Sequence, residues 1–465
     1  MTDDDELREE AEAVYQALLA RIGEGAPERR LDATRRAVEL LGDPQRAYPI
    51  IHITGTNGKT STSRIVESIL RAYGLRTGLL TSPHLVRFAE RIVIDGRPIS
   101  DEELVRNWEE VRPYLEIVDA ELEEQGKARL TFFEALTALA YAVFADSPVD
   151  VAVIEVGMGG EWDSTNVADG QVAVFTPISL DHTKQLGDTV REIARTKSGI
   201  VKPASDVVTS AQPADVLEVL AEAARLTEST FAAQPEAFDV AATRVAVGGQ
   251  LVTVRGRAAT YEDVFLPLYG DHQAQNAAVA IAAVETFLGR GGHPLNAGLV
   301  EEGFATAASP GRLQLVGVEP TVLVDAAHNP AGAATLADAL RRYFDFEEIG
   351  FVLGSLADKD ARGVVRALAP VATRFFVTEP SSDRALPAED LGDIVRDEVG
   401  DEATIVVGDG LDALETAREW AGDGARRAVA VTGSIVLVGA AMAYAEEHGW
   451  KAAPEGDAAN GGSAS

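Results

Sequence analysis

The stretch 50–64, IIHITGTNGKTSTSR, joins an apolar run to a helical pattern through Gly55, Thr56, Asn57, Gly58, Lys59, Thr60 and Ser61. Residues of these types in a strand–loop–helix turn bind polyphosphate. Glycines let the backbone approach the anion, N–H groups at the helix N-terminus point at it, a lysine offsets its charge, and a threonine hydroxyl reaches Mg²⁺. The spacing departs from the common phosphate loop, whose first glycine would stand at the position of Ile53; here Gly55 is the nearer partner of Gly58. A Gly/Asn turn between two core elements is the other reading of the same letters.

Seven more segments carry reactive groups. In DVAVIEVGMGGEWDSTN (150–166), Glu155 ends an apolar run before a glycine-rich loop, where parallel-sheet nucleotide enzymes hold a metal; the alternative is a helix-capping carboxylate. His182 of SLDHTKQLG follows another apolar run; alone it reads as structural, and paired with Glu155 as a metal ligand. Lys197, on the helical pattern REIARTKSGIVKP, is either a cationic clamp on phosphate or, once carbamylated, an anionic metal ligand. TSPHLVRFAER (81–91) brings Ser82, His84 and two arginines, with Ser82 either capping the turn before Pro83 or offering its hydroxyl to a ligand. GDHQAQN (270–276) opens a helix whose polar tips grip a base or ribose, or cap the helix. Farther on, DAAHNPAG offers Asp325, His328 and Asn329, and GSLADKD offers Asp358, Lys359 and Asp360, both at strand-to-helix switches.

These groups need a scaffold, and the pattern supplies one. Residues 1 to about 47 read as helices, stopped by Gly42 and Pro44. Apolar runs at 50–54, 77–81, 151–156, 172–176 and 206–209 then alternate with helical patterns, as in a parallel sheet covered by helices. Residues 236–267 alternate apolar and polar, predicting a small antiparallel hairpin, and a helical pattern returns at 273–289. After the turn at Ala308-Ser309-Pro310-Gly311, five strand-like runs interleave with helices as a second, smaller doubly wound domain. The expected organisation is an ATP-binding domain over 1–307, a Rossmann-like α/β domain over 308–451, and a disordered tail over 452–465.

Composition narrows the class. The chain has 465 residues and no cysteine, so disulfides and thiolate metal sites are excluded and any metal must sit on oxygen or imidazole. A net charge of −33, with no basic patch, opposes binding to nucleic acid and to anionic membranes. The acidic N-terminus is unlike a signal peptide, and no apolar run is long enough to span a bilayer, so a cytoplasmic enzyme is expected. Lysines are scarce (positions 59, 127, 184, 197, 202, 359 and 451) while acids are abundant, a surface suited to high salt. Scarcity also gives weight to the lysines that remain inside motifs.

Taken together the segments resemble the folylpolyglutamate synthase/dihydrofolate synthase family, a branch of the Mur-type amide ligases. The collinear motifs are GTNGK, TSPHL with ER, TFFEALTALA, EVGMGG with DSTN, SLDHTKQLGDT, REIARTKSGIVKP, GDHQAQNA, PGRLQ, DAAHNP, DKD and TGSIVLVG, from about residue 30 to 440. The resemblance implies a Mur-ligase-like phosphate-loop domain with a C-terminal Rossmann-like domain that binds glutamate. It implies ATP on Gly55 through Ser61, Asn276, Arg312 and Asp325, and one or two Mg²⁺ ions on Ser82, Glu155 and His182. It matches Lys197 to the family's carbamylated lysine, and puts Lys59, Lys197 and His328 in catalytic roles. A pterin-like substrate is implied near His84, Thr131, Phe132, Trp162 and Asp163, and incoming glutamate near His328 and Ser434. The implied reaction is attack of a dihydropteroate or folate carboxylate on the ATP γ-phosphorus, giving an acyl phosphate that the glutamate amine converts to an amide, with ADP and phosphate released. A monomer is expected.

Two departures from the family pattern bear on the acceptor. Thr60-Ser61, a form more like that of the ligases that make cell-wall peptides, follows Lys59 where members often have Gly-Ser, and Glu161 follows Gly159-Gly160 where many members carry arginine. A ligase acting on another carboxylated acceptor, and a nucleotide switch that hydrolyses ATP without ligation, are therefore the competing readings.

Overall fold

The computed structural model describes residues 3–23 and 28–450, and the expected disordered tail at 452–465 lies outside them. Two compact units divide at Ser309/Pro310.

The first unit is built on eight strands: β1 (Ile50–Thr54), β2 (Thr77–Leu80), β3 (Ile92–Ile94), β4 (Arg97–Pro98), β5 (Val151–Glu155), β6 (Val172–Phe175), β7 (Asp206–Thr209) and β8 (Thr230–Ala233). Their order is β4-β3-β2-β5-β1-β6-β7-β8. All neighbours are parallel except β2/β3 and β3/β4. The apolar runs are continuous because both faces are covered. Ile50, Ala152 and Ile154 pack on one side against the helices Asp101–Glu124 and Phe132–Asp146. Ile51, Ile53, Val151 and Val153 pack on the other against the helices Lys59–Ala72 and Asp271–Gly289. Period-two alternation of side chains makes this division automatic.

The predicted hairpin is part of a three-stranded antiparallel sheet, β9 (Asp239–Ala246), β10 (Gly249–Arg255) and β11 (Thr260–Leu266), ordered β11-β10-β9. The short strands β3, β4 and β8 were not among the expected runs. Each has two to four residues, too few to show a periodicity, and each is specified by pairing with a neighbour.

The second unit holds β12 (Gln314–Val318), β13 (Thr321–Val324), β14 (Glu348–Leu353), β15 (Arg374–Val377), β16 (Thr404–Val406) and β17 (Arg427–Thr432), in the order β12-β13-β17-β14-β15-β16. Only β12 runs antiparallel to its neighbour. Among the described residues no helix is long and apolar enough to cross a membrane.

Buried ion pairs fasten the N-terminal helical segment to the sheet domain. Arg21 meets Asp119 at 2.9 Å, and Arg30 meets Glu134 at 2.8 Å with both side chains largely buried. Glu134 also completes a capping box with Thr131 at the start of the helix Phe132–Asp146. Glu134→Ala therefore removes a cap and strands the Arg30 charge. We expect it to lower unfolding free energy by about 3 kcal/mol in a denaturant titration, more than the ~1 kcal/mol of a lost cap alone.

Candidate active site

The strand order β2-β5-β1-β6 sets the site. Because these strands are parallel, their C-terminal ends lie along one edge, so the loops carrying Ser82, Glu155, Gly55–Lys59 and His182 emerge side by side. Ligands of open α/β sheets bind at this edge.

The phosphate loop is held closely. Gly58, in a left-handed conformation (φ 86°), caps the helix Lys59–Ala72, and a Cβ there would sit 2.5 Å from Asn276 Oδ1. A Cβ on Gly55 would sit 1.9 Å from Thr176 Oγ1. The Thr56 hydroxyl donates to the Ser179 carbonyl and accepts from the Ser179 N–H, both at 3.0 Å, tying the loop to the segment that leads to His182. Lys59 Nζ folds back onto the carbonyls of Gly55 and Thr56. Buried Ser61 pairs with Ser309 at 2.9 Å and accepts from Gln273, whose Oε1 accepts from Asn276. Gln273 and Asn276 thus meet the loop from the helix Asp271–Gly289.

Thr60 Oγ1 donates to Glu155 Oε1 at 2.9 Å, so a hydroxyl and a buried carboxylate stand together at the start of the loop's helix. His182, in a left-handed conformation, accepts position from Asp181, whose carboxylate takes its N–H at 2.8 Å. Among the described residues no three His, Asp or Glu side chains converge as a metal site on their own. Lys197, 4% exposed on the helix Val190–Ser198, donates to the Gly55 carbonyl at 2.8 Å. Burial, then the nearby Lys59 charge, lowers its pKa from 10.5 to about 7.

The other expected positions divide into two groups. His84 and Phe132 belong to an aromatic cluster with Tyr15 and Phe88. Arg91 donates to His84 Nδ1 at 2.8 Å and lies over the Phe132 ring. Burial and then the Arg91 charge lower the His84 pKa to about 3, leaving a neutral imidazole. Trp162 is half-buried with Arg29 over its ring. Thr131 and Asp163 are buried and bonded locally: Thr131 caps its helix, and the Asp163 carboxylate takes the N–H groups of Met158 and Thr165. Tyr15 was missed because nothing near it in sequence signals the cluster.

In the second unit, Asp325 follows β13 and accepts from the N–H groups of Leu313 and Ala327, each at 2.8 Å. Desolvation raises its pKa against the pull of Arg312. His328 Nδ1 bonds the Ala326 carbonyl, and Asn329 caps the helix Pro330–Tyr343. The Ala327 carbonyl accepts from Gly433 N–H and the Thr432 hydroxyl, stitching the loop of His328 to that of Ser434. Ser434 Oγ, buried at the start of the helix Ile435–Glu447, has no hydrogen-bond partner among the described residues. Asp358 pairs with Arg384 and Asp360 caps a helix.

Two outcomes follow from this geometry. Gly58→Ala should retain a native circular dichroism spectrum yet weaken ADP binding at least about tenfold by calorimetry, since left-handed strain and the Asn276 clash both fall on the loop. The unfolded chain holds the Lys197 proton up to about 10.5 and the folded chain only to about 7. Between those values the unfolded state binds more protons, so this lysine makes stability rise with pH. Lys197→Met should flatten that slope in melts taken across the same window.

The chain matches the Mur ligase middle domain over residues 53–284 and the Mur ligase glutamate ligase domain over 311–435. It is 42% identical over 440 residues, 89% of this chain and 90% of its relative, to the dihydrofolate synthase/folylpolyglutamate synthase of Mycobacterium tuberculosis. It is 39% identical to the folylpolyglutamate synthase of Lacticaseibacillus casei over 75% of this chain and 81% of that one. The M. tuberculosis folylpolyglutamate synthase complexed with ADP superposes with a TM-score of 0.91 at 41% identity, covering 94% of this chain and 99% of that chain. The chain belongs to the folylpolyglutamate synthase/dihydrofolate synthase family of Mur ligases, ATP-dependent enzymes that join an amino acid to a carboxylate.

Proposed function

We propose that this chain joins L-glutamate to dihydropteroate, to a tetrahydrofolate, or to both, through an acyl phosphate made from ATP. The observation that carries the reading is the phosphate loop at the sheet edge, flanked by Glu155 on one neighbouring strand and by the buried Lys197.

Each role has a physical basis. The N–H groups of Gly55–Ser61 face the ATP phosphates, and Lys59 exchanges its two loop carbonyls for phosphate oxygens. The family resemblance assigns nucleotide contacts to Asn276, which lies against Gly58, and, in the second unit, to Arg312 and Asp325. Mg²⁺ would be held by the oxygen donors Thr60, Glu155 and Ser82, with the His182 imidazole leaving the same edge, and would take its remaining oxygens from waters and phosphates. When bound it offsets the charge repulsion between the attacking carboxylate and the γ-phosphate. Lys197, neutral above about pH 7, can add CO₂ and release one proton, becoming an anionic carbamate beside Lys59.

The family resemblance assigns the acceptor to the neighbourhood of His84, Thr131, Phe132, Trp162 and Asp163, of which His84 and Phe132 share one aromatic cluster and Asp163 holds the loop of Trp162. Carbon–nitrogen bond formation needs an uncharged amine on glutamate. His328 binds a carbonyl through Nδ1–H, so Nε2 is its accepting nitrogen and suits proton removal, while Ser434 Oγ is a buried hydroxyl able to bond the glutamate carboxylate. We take the enzyme to act as a monomer in the cytoplasm.

The test is an acceptor panel with Mg·ATP and L-glutamate in molar KCl. Phosphate should appear one-for-one with amide when dihydropteroate or tetrahydrofolate is supplied. Turnover only with a UDP-sugar peptide, or phosphate release without any acceptor, would overturn the reading. Lys59→Ala and Glu155→Ala should each reduce kcat by about a thousandfold or more with melting curves retained.

A further inference from the structure

His52 sits in the middle of β1, fully buried, three residues before the phosphate loop. Ile50, Ile51 and Ile53 around it are core residues, and nothing in the reaction described above uses an imidazole there. Its Nε2 lies 2.9 Å from Thr165 Oγ1, and its Nδ1 has no partner among the described residues.

The next bonds decide the direction. Thr165 Oγ1 lies 2.5 Å from Asp163 Oδ1, and Asp163 Oδ1 also accepts the Thr165 N–H at 3.0 Å. Asp163 Oδ2 accepts the Met158 N–H at 2.8 Å, closing the loop 158–163 on itself. A hydroxyl has one proton. With that proton donated to the Asp163 carboxylate, Thr165 Oγ1 can only accept from the imidazole, which makes His52 the Nε2–H tautomer. Tyr141 fixes the same residue from the opposite side through its hydroxyl bond to the Thr165 carbonyl at 2.7 Å.

The loop so held touches the end of β1 and the helix that carries Lys197. Its Gly159 carbonyl accepts from Thr54 at the end of β1. Gly160 lies against the Lys197 backbone so closely that a Cβ would come within 2.6 Å of its carbonyl. Trp162 is carried between these contacts and Asp163.

We propose that His52 is a positioning residue for the acceptor, donating from Nε2 through the Thr165 hydroxyl to the Asp163 carboxylate and so setting the loop that presents Trp162. The role of Trp162 rests on the function proposed above. Burial, and to a lesser degree the Lys202 charge, lowers the His52 pKa to about 3, which keeps the ring neutral and the donor direction constant.

The test uses the full chain and four variants: His52→Leu and Thr165→Val, which break the relay, and His52→Gln and Thr165→Ser, which keep its hydrogen-bonding groups. His52→Leu and Thr165→Val should raise the KM for dihydropteroate or tetrahydrofolate about tenfold while the KM for ATP changes by less than about twofold, as expected when a buried hydrogen bond is lost on the acceptor side. The conservative variants should recover most of the loss. Equal changes in both KM values, no change in the acceptor KM, or no recovery in either conservative variant would overturn the proposal. Nitrogen NMR of the wild-type protein should show two histidines, His52 and His84, as neutral Nε2–H tautomers from pH 5 to 9, with the His52 set of signals lost in both His52 variants. An Nδ1–H tautomer or an ordinary titration overturns the proposal even if the acceptor is not a folate. Absence of turnover on pterin acceptors together with the Nε2–H signature would fell the function and leave the relay standing.

Discussion

Close packing around the phosphate loop is the constraint on which the remainder of the first unit depends. Gly55 has Thr176 against its Cα and Gly58 has Asn276, at distances that admit a hydrogen and no methyl group. For that to hold, β6 must lie beside β1, and the helix Asp271–Gly289 must lie on the helix Lys59–Ala72. The core meets the second requirement through small residues, Ala274, Ala277, Ala278, Ala280, Ala282 and Ala283 among the fully buried positions, and Gly303 of the helix Ala297–Ala305 lies so near Ile69 that a Cβ would be 2.7 Å from its Cα. Large side chains there would have pushed the helices apart and opened the loop. A phosphate nest works by fixed N–H directions, so its rigidity is a binding property as well as a packing one.

The electrostatics act over a short range. A chain of net charge −33 repels ATP and a glutamylated acceptor, yet two of its seven lysines, Lys59 and Lys197, reach the same loop carbonyl. At ionic strength near 1 M the Debye length is about 3 Å, so the distant carboxylates cease to act on an anionic substrate while groups in contact continue to. Burial of Lys197 beside Lys59 lowers the proton affinity of the first. The site therefore contains one fixed cation and one amine whose charge is set by its surroundings.

Much of the sheet was legible because strands covered on both faces are uninterrupted apolar runs, and β1, β2, β5, β6 and β7 are such runs. The edge strands β4, β8 and β12, and β3 next to β4, were not, since their conformation comes from pairing with a neighbour. The loop motifs were legible as chemistry for a different reason: glycine, lysine and threonine at a strand–helix junction are poor choices for packing alone. Buried polar residues were harder to assign. Thr131 caps a helix and Asp163 bonds N–H groups of its own loop, uses that a motif does not distinguish from contact with a substrate.

The sequence by itself determined that this chain has a glycine-lysine-threonine loop between a strand and a helix, oxygen and imidazole side chains with no thiolate, and two successive α/β units, because residue type and local period are properties of short segments. Only the tertiary structure decided that β5 and β6 flank β1, which brings Glu155 to Thr60, that Lys197 is buried on the Gly55 carbonyl and loses proton affinity, and that His52 reaches Thr165. Those are relations between residues about 100 or more positions apart in the chain, and the physical quantities they set, desolvation and hydrogen-bond direction, exist only once the sheet order has been fixed by folding.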